Sequence, residues 1–445
     1  MATLPSAPNQ LSGRAVRALK PGLPYFKAFA EAMKRPWSVD DPEGVISIVV
    51  AENKLGAPLV HERLLQCRPP PNDVLFYTKD MNGYQRLRKA ISGLMSRTFM
   101  KGLEVDPDHL TVLAGAGAIL DNLMWCIGAP GEGVLIPRPY YPAFDNDLQI
   151  RCGMEPIPFD LCGAQGESVS HQLDKAAADA ASRGSPVKVL LLTNPNNPLS
   201  TIYTRDTLLE ALRWCLANRV HVVSDEIYAM SVWGEDAPHF ESMESIARAE
   251  AQLMPDGEAL IQDLVHVVFG LSKDFCASGL RFGCLHSRNP SLNKAVFNLS
   301  YFCMCSGHTQ SLLTELLEDT EWVDSFLQES SKRLRQAFQL LSGALKEANI
   351  PFVQAYSAMF CWVDMRGALL ARRKGRNLPD WDTVKSTWEE EQELWSDLVY
   401  KHKVLVTPGE ACHAAEPGFF RLCWACVPDK ALPEAVMRMS AAFHP

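Results

Sequence analysis

Short runs of valine, isoleucine and leucine alternate with longer amphipathic stretches, and this alternation constrains the fold more than any other feature of the chain. Four such runs occupy residues 134–136, 187–192, 220–223 and 264–269, and residues 204–218 have helical spacing. Strands this apolar are typically buried on both faces, and strands that alternate with helices form right-handed parallel crossovers. The sequence therefore predicts an α/β fold with a mostly parallel sheet covered by helices.

Polar residues follow each apolar run at the point where the strand is expected to end. Pro-Tyr-Tyr at residues 139–141 follows the first run, Asn194 the second, Asp225 the third and Lys273 the fourth. Ligands in open α/β sheets bind at the carboxyl ends of the strands. We therefore expect these residues to converge on one site.

The length of 445 residues is about three times that of a common domain, so we expect more than one structural unit. Residues 1–70 are predicted to form an N-terminal arm and part of a small domain. The large domain is predicted at 71–318 and the C-terminal small domain, which is α+β in pattern, at 319–445. The latter begins with one long amphipathic helix at 321–349. The charged, proline-containing stretch 369–387 is predicted to be an exposed insertion.

Charge and cysteine content exclude several classes of partner. The formal net charge of −9 argues against nucleic-acid or anionic-membrane binding, which rests on clustered lysine and arginine. No apolar run reaches the length that spans a bilayer. The 13 cysteines are odd in number and scattered, which indicates reduced thiols and a cytoplasmic protein. Cys423 and Cys426 form a single CxxC without a second pair, so we expect no metal, and a redox pair is the lesser alternative.

Residues 269–283 carry the clearest chemical signal, because Lys273 follows an apolar strand and Arg281 lies eight residues later. A lysine amine can condense with an aldehyde, and an arginine offers a planar charged fork to a phosphate. An aldehyde cofactor that bears a phosphate would engage both.

Two further charged residues lie in apolar strands, where an unpaired charge is costly. Asp225 ends one such strand and could face a cationic ring nitrogen, although it could equally cap a helix. Arg421 lies inside another, and a carboxylate ligand or an internal salt bridge would satisfy it.

These segments resemble the fold-type I pyridoxal phosphate enzymes of the class I/II aminotransferase family. The resemblance rests on the lysine segment, on Asn-Pro-x-Asn-Pro at 194–198 and on Pro-Tyr-Tyr-Pro-Ala-Phe at 139–144. Ala-Glu-Asn-Lys-Leu at 51–55 is similar to the Ala-Glu-Asn-Gln-Leu of 1-aminocyclopropane-1-carboxylate (ACC) synthases. The family resemblance implies a seven-stranded large domain, pyridoxal 5′-phosphate as cofactor, an amino-acid substrate and a homodimer.

The resemblance also implies a role for individual residues. Lys273 is the catalytic residue that holds the cofactor and then acts as base, and Asp225 faces the pyridine nitrogen. Arg421 binds the substrate α-carboxylate, and Glu52 lies near the substrate. The remaining cofactor contacts are Tyr141 stacked on the ring, Asn197 and Tyr228 at the 3′ oxygen, and Ala116, Gly117, Ser272 and Arg281 at the phosphate.

Glu52 could face a sulfonium, which favours ACC synthase-like α,γ-elimination or γ-replacement on S-adenosylmethionine or a similar γ-activated amino acid. The alternatives are a class I aminotransferase and a pyridoxal phosphate-binding protein with little turnover. Met81 replaces a family tyrosine that reaches the neighbouring subunit's phosphate, and Gly270 replaces a phosphate-binding serine. We therefore expect the phosphate to be held by fewer hydroxyls.

Overall fold

The computed structural model describes residues 11–19, 25–161, 166–376 and 385–443. Much of the predicted N-terminal arm lies outside these ranges. The strands are β1 (Ile46–Ser47), β2 (Leu110–Leu113), β3 (Gly133–Pro137), β4 (Glu155–Phe159), β5 (Val187–Thr193), β6 (His221–Asp225), β7 (Val265–Gly270), β8 (Gly283–Ser287), β9 (Phe360–Asp364), β10 (Val404–Leu405), β11 (Thr407–Pro408) and β12 (Phe419–Cys423).

The helices are α1 (Gly13–Arg17), α2 (Phe26–Ala32), α3 (Ala57–Leu65), α4 (Gln85–Arg97), α5 (Ala116–Ile127), α6 (Phe144–Gln149), α7 (Val169–Ser182), α8 (Arg205–Asn218), α9 (Met243–Ala251), α10 (Gly257–Leu264), α11 (Leu271–Asp274), α12 (Pro290–Ser300), α13 (Gly307–Glu318), α14 (Thr320–Glu347), α15 (Arg366–Gly375), α16 (Trp388–Tyr400) and α17 (Ala431–Ser440). Across the described ranges, no helix combines the length and the apolar character needed to cross a membrane.

Seven strands form one sheet, which we call the large sheet, in the order β2-β8-β7-β6-β5-β3-β4. Only β8 runs against its two neighbours, β2 and β7, and the remaining pairs are parallel. The four apolar runs form β3, β5, β6 and β7, so the predicted α/β class and mostly parallel sheet are confirmed.

Alternate residues of the central strands pack into two different cores, one on each face of the large sheet. Leu190 and Leu192 of β5 face a cluster that includes residues of α7 to α10. Val189 and Leu191 face a second cluster, which includes residues of α5, α6 and α12. Successive side chains of a strand point to opposite faces, so an all-apolar strand must be covered on both sides. This double burial explains why the runs lack polar alternation.

The rest of the chain is organised around a small antiparallel sheet, β11-β12-β9, and the parallel pair β1-β10. The predicted long helix is α14, whose buried side chains, Leu334, Phe338 and Leu341 among them, pack into the core behind these sheets. Because β1 pairs with β10, a segment near the N-terminus lies among C-terminal elements.

The predicted exposed insertion at 369–387 is wrong in its first part. Residues 369–375 belong to α15, which buries Leu369 and Arg373. The Arg373 guanidinium binds the Glu390 carboxylate of α16 at 2.7 and 2.8 Å. Arg372, Arg373 and Arg376 of this stretch are therefore paired with acidic residues of α16, while the apolar face of α15 packs inward. Residues 377–384 of the stretch lie outside the described residues.

Buried His266 and His286 and half-buried His221 lie near the edge of the large sheet opposite the carboxyl ends of its parallel strands. His266 lies 3.1 Å from His221 and 3.0 Å from the Ser287 hydroxyl. Neither ring nitrogen of His286 has a hydrogen-bond partner among the described residues. Burial lowers the pKa of His221 to about 4 and that of His286 to about 3.

These histidines should make the fold acid-sensitive. Below pH about 6.5, His221 and His286 bind protons in the unfolded chain but not in the folded one. The free energy of unfolding should therefore fall as pH decreases toward 4. His286→Leu should make this fall shallower by up to about 1.4 kcal/mol per pH unit, the value for one proton. Urea unfolding at pH 7, 6, 5 and 4 measures the slope. Exposed His171→Phe is the control, and equal slopes in wild type and His286→Leu would contradict the prediction.

Candidate active site

A cavity of about 290 Å³ opens at the carboxyl ends of the parallel strands. The positions of Asp225 and Lys273 directly after apolar runs predicted a site at this edge. The structure brings all nine predicted cofactor-binding residues to its wall, namely Ala116, Gly117, Tyr141, Asn197, Asp225, Tyr228, Ser272, Lys273 and Arg281. They come from six separate segments of the chain, so their convergence is a property of the fold. Arg421 contacts this wall through Asn197, and Glu52 lies beside it.

Lys273 lies in the short helix α11, directly after β7, with its side chain half-buried. Its Nζ donates a hydrogen bond of 2.5 Å to the carbonyl oxygen of Ala51. Burial lowers the pKa of the Lys273 amine to about 8, although the neighbouring Cys423, Glu52 and Asp225 partly oppose this shift. A larger fraction of this amine than of an exposed lysine is therefore neutral near neutral pH, which favours a role as nucleophile or base.

Asp225 ends β6 and is buried. Among the described residues, its carboxylate accepts a single hydrogen bond, at 3.3 Å from the Ile227 amide, in a turn rather than at a helix start. No salt bridge to Asp225 occurs within the described ranges. Burial raises its pKa to about 7, with the charge of Lys273 opposing the rise. A cationic group bound in the cavity would stabilise this carboxylate.

The first turn of α5 and the Arg281 guanidinium meet at one corner of the cavity. Gly115 precedes the helix with φ +99°, and a Cβ at this position would collide with Nη2 of Arg281. A Cβ at Gly283 would collide with the backbone of Gly115 and Ala116. Both glycines therefore permit close packing that presents helix N–H groups and a guanidinium to the same space. This combination is suited to a phosphate.

Arg421 is buried in β12 without a carboxylate partner among the described residues. Its guanidinium donates to Asn197 Oδ1 at 2.9 Å, to the Val49 carbonyl at 2.9 Å and to Thr407 Oγ1 at 3.1 Å. Nε has no partner in the described part of the chain. The expected alternative of an internal salt bridge is therefore not observed there, and a small carboxylate fits the residual donor capacity.

Asn197 and Tyr228 form one continuous hydrogen-bonded chain with Arg421. Asn197 Nδ2 donates to the Tyr228 hydroxyl at 3.4 Å, while its Oδ1 accepts from Arg421. Since Asn197 follows β5, Tyr228 follows β6 and Arg421 lies in the small sheet, the chain joins the two sheets across the cavity.

Glu52 lies next to Ala51, whose carbonyl binds Lys273, but it is not enclosed. Its side chain is 43% exposed and one carboxylate oxygen is 4.0 Å from Lys54 Nζ. The resemblance implied that Glu52 lies near the substrate, and this stays a prediction; the contact of Glu52 with Lys54 was not foreseen.

Sequence reasoning missed three residues of this region. Thr193 lines the cavity, and its buried hydroxyl has no partner among the described residues. Asp147 also lines it, and burial raises the pKa of that carboxyl to about 7. Tyr25 is buried near Arg421, and burial raises the pKa of its hydroxyl to about 12, although the charge of Arg421 opposes the rise. Thr193 adjoins the Asn-Pro motif, but Tyr25 and Asp147 carry no local signal.

Comparison with known proteins agrees with this geometry. The family model for aminotransferase class I and II matches residues 72–439. The chain is 34% identical to a 1-aminocyclopropane-1-carboxylate synthase of Glycine max, covering 94% of this chain and 84% of the relative. A synthase of the same name from Vigna radiata var. radiata is 35% identical, with 84% and 99% covered. The solved aspartate aminotransferase of Rhizobium meliloti superposes with a TM-score of 0.74 at 21% identity, covering 98% of this chain and 99% of that one.

The fold and the cavity define a fold-type I enzyme that uses pyridoxal 5′-phosphate. The chain belongs to the aminotransferase class I and II family. Its chemistry takes place at the α-carbon of an amino acid. The cavity fits the cofactor, because the Asp225 carboxylate, with its single long amide contact, matches a cationic ring, and the glycine-lined corner matches a phosphate.

Lys273 should be the covalent attachment point of the cofactor. Borohydride reduction of the holoenzyme should fix the cofactor irreversibly, and peptide mass spectrometry should find it on Lys273. Lys273→Ala should bind the cofactor only reversibly and lose at least about 10³-fold in turnover, since it lacks both nucleophile and base. Label on another lysine of the wild-type protein would contradict this assignment.

Arg421→Lys should weaken substrate binding, because an ammonium cannot reproduce the planar two-pronged contact with a carboxylate. We expect a rise of about 10²-fold in KM and unchanged cofactor content, measured by steady-state kinetics and cofactor absorbance. Arg372→Lys, a change in an ion pair on α15, is the control. An unaltered KM would mean that the α-carboxylate binds elsewhere.

Proposed function

We propose that this enzyme carries out ACC synthase-like α,γ-elimination or γ-replacement on S-adenosylmethionine or a similar γ-activated amino acid. The observation that carries the proposal is the position of Glu52, whose neighbour Ala51 holds Lys273 by its carbonyl oxygen. A carboxylate at that point can face a sulfonium or another cation on the substrate. The similarity to ACC synthases over most of the chain supports it.

The contacts of the cavity residues support a role for each of them. The cofactor, when bound, supplies an electron sink for bond cleavage at Cα. Asp225 would keep the ring nitrogen protonated, Tyr141 would cover the ring, and Asn197 with Tyr228 would bind the 3′ oxygen. Arg421 holds the α-carboxylate. In this arrangement Lys273, with its depressed amine pKa, removes the Cα proton.

We propose that the cofactor phosphate binds at the corner formed by α5 and Arg281. Ala116 and Gly117 donate backbone N–H groups at the start of a 12-residue helix, and Ser272 and Arg281 complete the site. Gly270 lies in β7 and does not line the cavity, and neither does Met81. Fewer hydroxyls therefore serve the phosphate than the family pattern supplies.

The second candidate is a class I aminotransferase. Lys54 favours it, because its ammonium offsets the charge of Glu52 and would repel a sulfonium. Transamination needs no γ leaving group and would use the same Lys273, Asp225 and Arg421. The third candidate is a pyridoxal phosphate-binding protein with little turnover. The presence of the complete set of cavity residues argues against it.

We propose that the enzyme is a cytoplasmic homodimer. Phe76 and Tyr77 are 72% and 97% exposed, and Tyr301 and Phe302 are 60% and 80% exposed, which is costly for aromatic side chains on a free surface. The 12 cysteines in the described ranges are free thiols, in keeping with a reducing compartment. We further propose a large domain at 71–318 and a small domain at 319–445 that includes part of residues 1–70, as the β1-β10 pair supports.

The proposed reaction predicts release of methylthioadenosine from S-adenosylmethionine by the wild type and not by Lys273→Ala. Liquid chromatography with mass detection measures release, and the four-carbon product distinguishes ACC formation from γ-replacement. Conversion of the cofactor to its amine form by common amino acids, without release, would establish the aminotransferase instead. Neither signal from a yellow protein would indicate the low-turnover alternative.

Two variants of opposite sign test the part of Glu52. Glu52→Gln should raise KM for S-adenosylmethionine about tenfold by removing an attractive charge, and Lys54→Gln should lower KM by removing a repulsive one. Equal KM values in both variants and the wild type would show that Glu52 does not interact with the substrate side chain.

A further inference from the structure

Tyr140 and Tyr141 are consecutive residues whose side chains lie on opposite sides of the loop between β3 and α6. Tyr141 lines the cavity. Tyr140 points away from it and is buried, with its ring stacked on that of His413 at a centroid distance of 4.4 Å and an angle of 15°. The Tyr140 hydroxyl donates to Asp145 Oδ1 at 2.7 Å.

Asp145 joins the two aromatic residues into a closed set. Its second oxygen, Oδ2, lies 2.8 Å from Nε2 of His413. The backbone N–H of Tyr140 also donates to the Cys412 carbonyl at 2.9 Å. Tyr140, Asp145 and His413, which we call the bridging triad, therefore connect the start of α6 with residues 409–414.

Residues 409–414 are fixed from their other side as well. The buried Glu391 of α16 accepts hydrogen bonds from the amides of Glu410 at 2.9 Å and Gly418 at 2.6 Å. This segment follows β11, whose Thr407 pairs with Arg421 of β12. A displacement of His413 would therefore be transmitted to the strands that carry Arg421.

We propose that the bridging triad is a positioning set that fixes the separation of Tyr141 from Arg421, and so the angle at which the substrate Cα–H bond meets Lys273. The inference rests on the proposed cofactor and carboxylate roles of Tyr141 and Arg421. It does not depend on which reaction follows proton removal.

A role in stability alone explains the triad poorly. The side chains of His413 and Asp145 are 31% and 33% exposed, and hydrogen bonds between partly exposed side chains contribute little to folding because water competes for both partners. A misplacement of about 1 Å at a reacting centre, in contrast, can cost about 10²-fold in rate. The contact joins the two parts of the chain that must be aligned for proton transfer.

The test compares three substitutions in the full-length holoenzyme. His413→Phe keeps the ring over Tyr140 but removes the donor, Asp145→Asn weakens both contacts, and His413→Gln restores a donor. The controls are His171→Phe and Asp179→Asn on the exposed face of α7. Readouts are the visible circular dichroism of the bound cofactor, deuterium exchange at the substrate α-carbon, and the melting temperature.

His413→Phe and Asp145→Asn should alter the cofactor dichroism and slow α-proton exchange by about 10- to 100-fold, whereas His413→Gln and the controls should stay within about threefold of the wild type. The double variant of His413→Phe and Asp145→Asn should be no slower than the slower single variant, since both substitutions act on the same contact between His413 and Asp145. Unchanged dichroism and exchange with a lowered melting temperature would overturn the proposal. If the wild type exchanges no α-proton, the proposed function fails, and the dichroism of the variants still decides the positioning role.

Discussion

Arg421 is a permanent charge buried without a carboxylate partner in the described part of the chain, and the arrangement of the active site depends on how it is held. Its three donors reach Val49 near the N-terminus, Asn197 after a strand of the large sheet and Thr407 in the small sheet. Leaving such a charge half-satisfied is expensive. The surrounding elements must therefore keep its partners in place, and this requirement fixes the two sheets relative to one another.

Two buried carboxyl groups, those of Asp225 and Asp274, differ in how many hydrogen-bond partners the protein gives them. Burial raises the pKa of both Asp225 and Asp274 to about 7. Asp274 accepts from the Ser231 hydroxyl at 2.5 Å and the Met230 amide at 3.0 Å, so both of its oxygens are used within the protein. Asp225 has a single long amide contact and faces the cavity. The similar pKa shifts thus accompany a structural group in one case and a group open to a ligand in the other.

The sequence was sufficient where function and backbone pattern coincide. Asp225 and Lys273 sit directly after apolar strands, and parallel topology alone brings strand ends together. Tyr25 and Asp147 could not be found, because no local pattern ties either residue to the cavity. The error at 369–375 has a similar cause: charge in sequence does not reveal that Arg373 is paired with Glu390 on another helix. Glu52 was located, but its contact with Lys54 depends on side-chain placement.

The pairing of β1 with β10 has a consequence for how the enzyme is made on the ribosome. Ile46 is opposite Val404, and Ala51, just beyond β1, supplies the carbonyl that anchors Lys273. During synthesis β1 cannot pair until β10, more than 350 residues later, has been translated. The large sheet can assemble earlier, so the lysine remains unanchored until translation nears its end. The contact between Lys273 and Ala51 therefore forms after the wall of the cavity that the large sheet supplies.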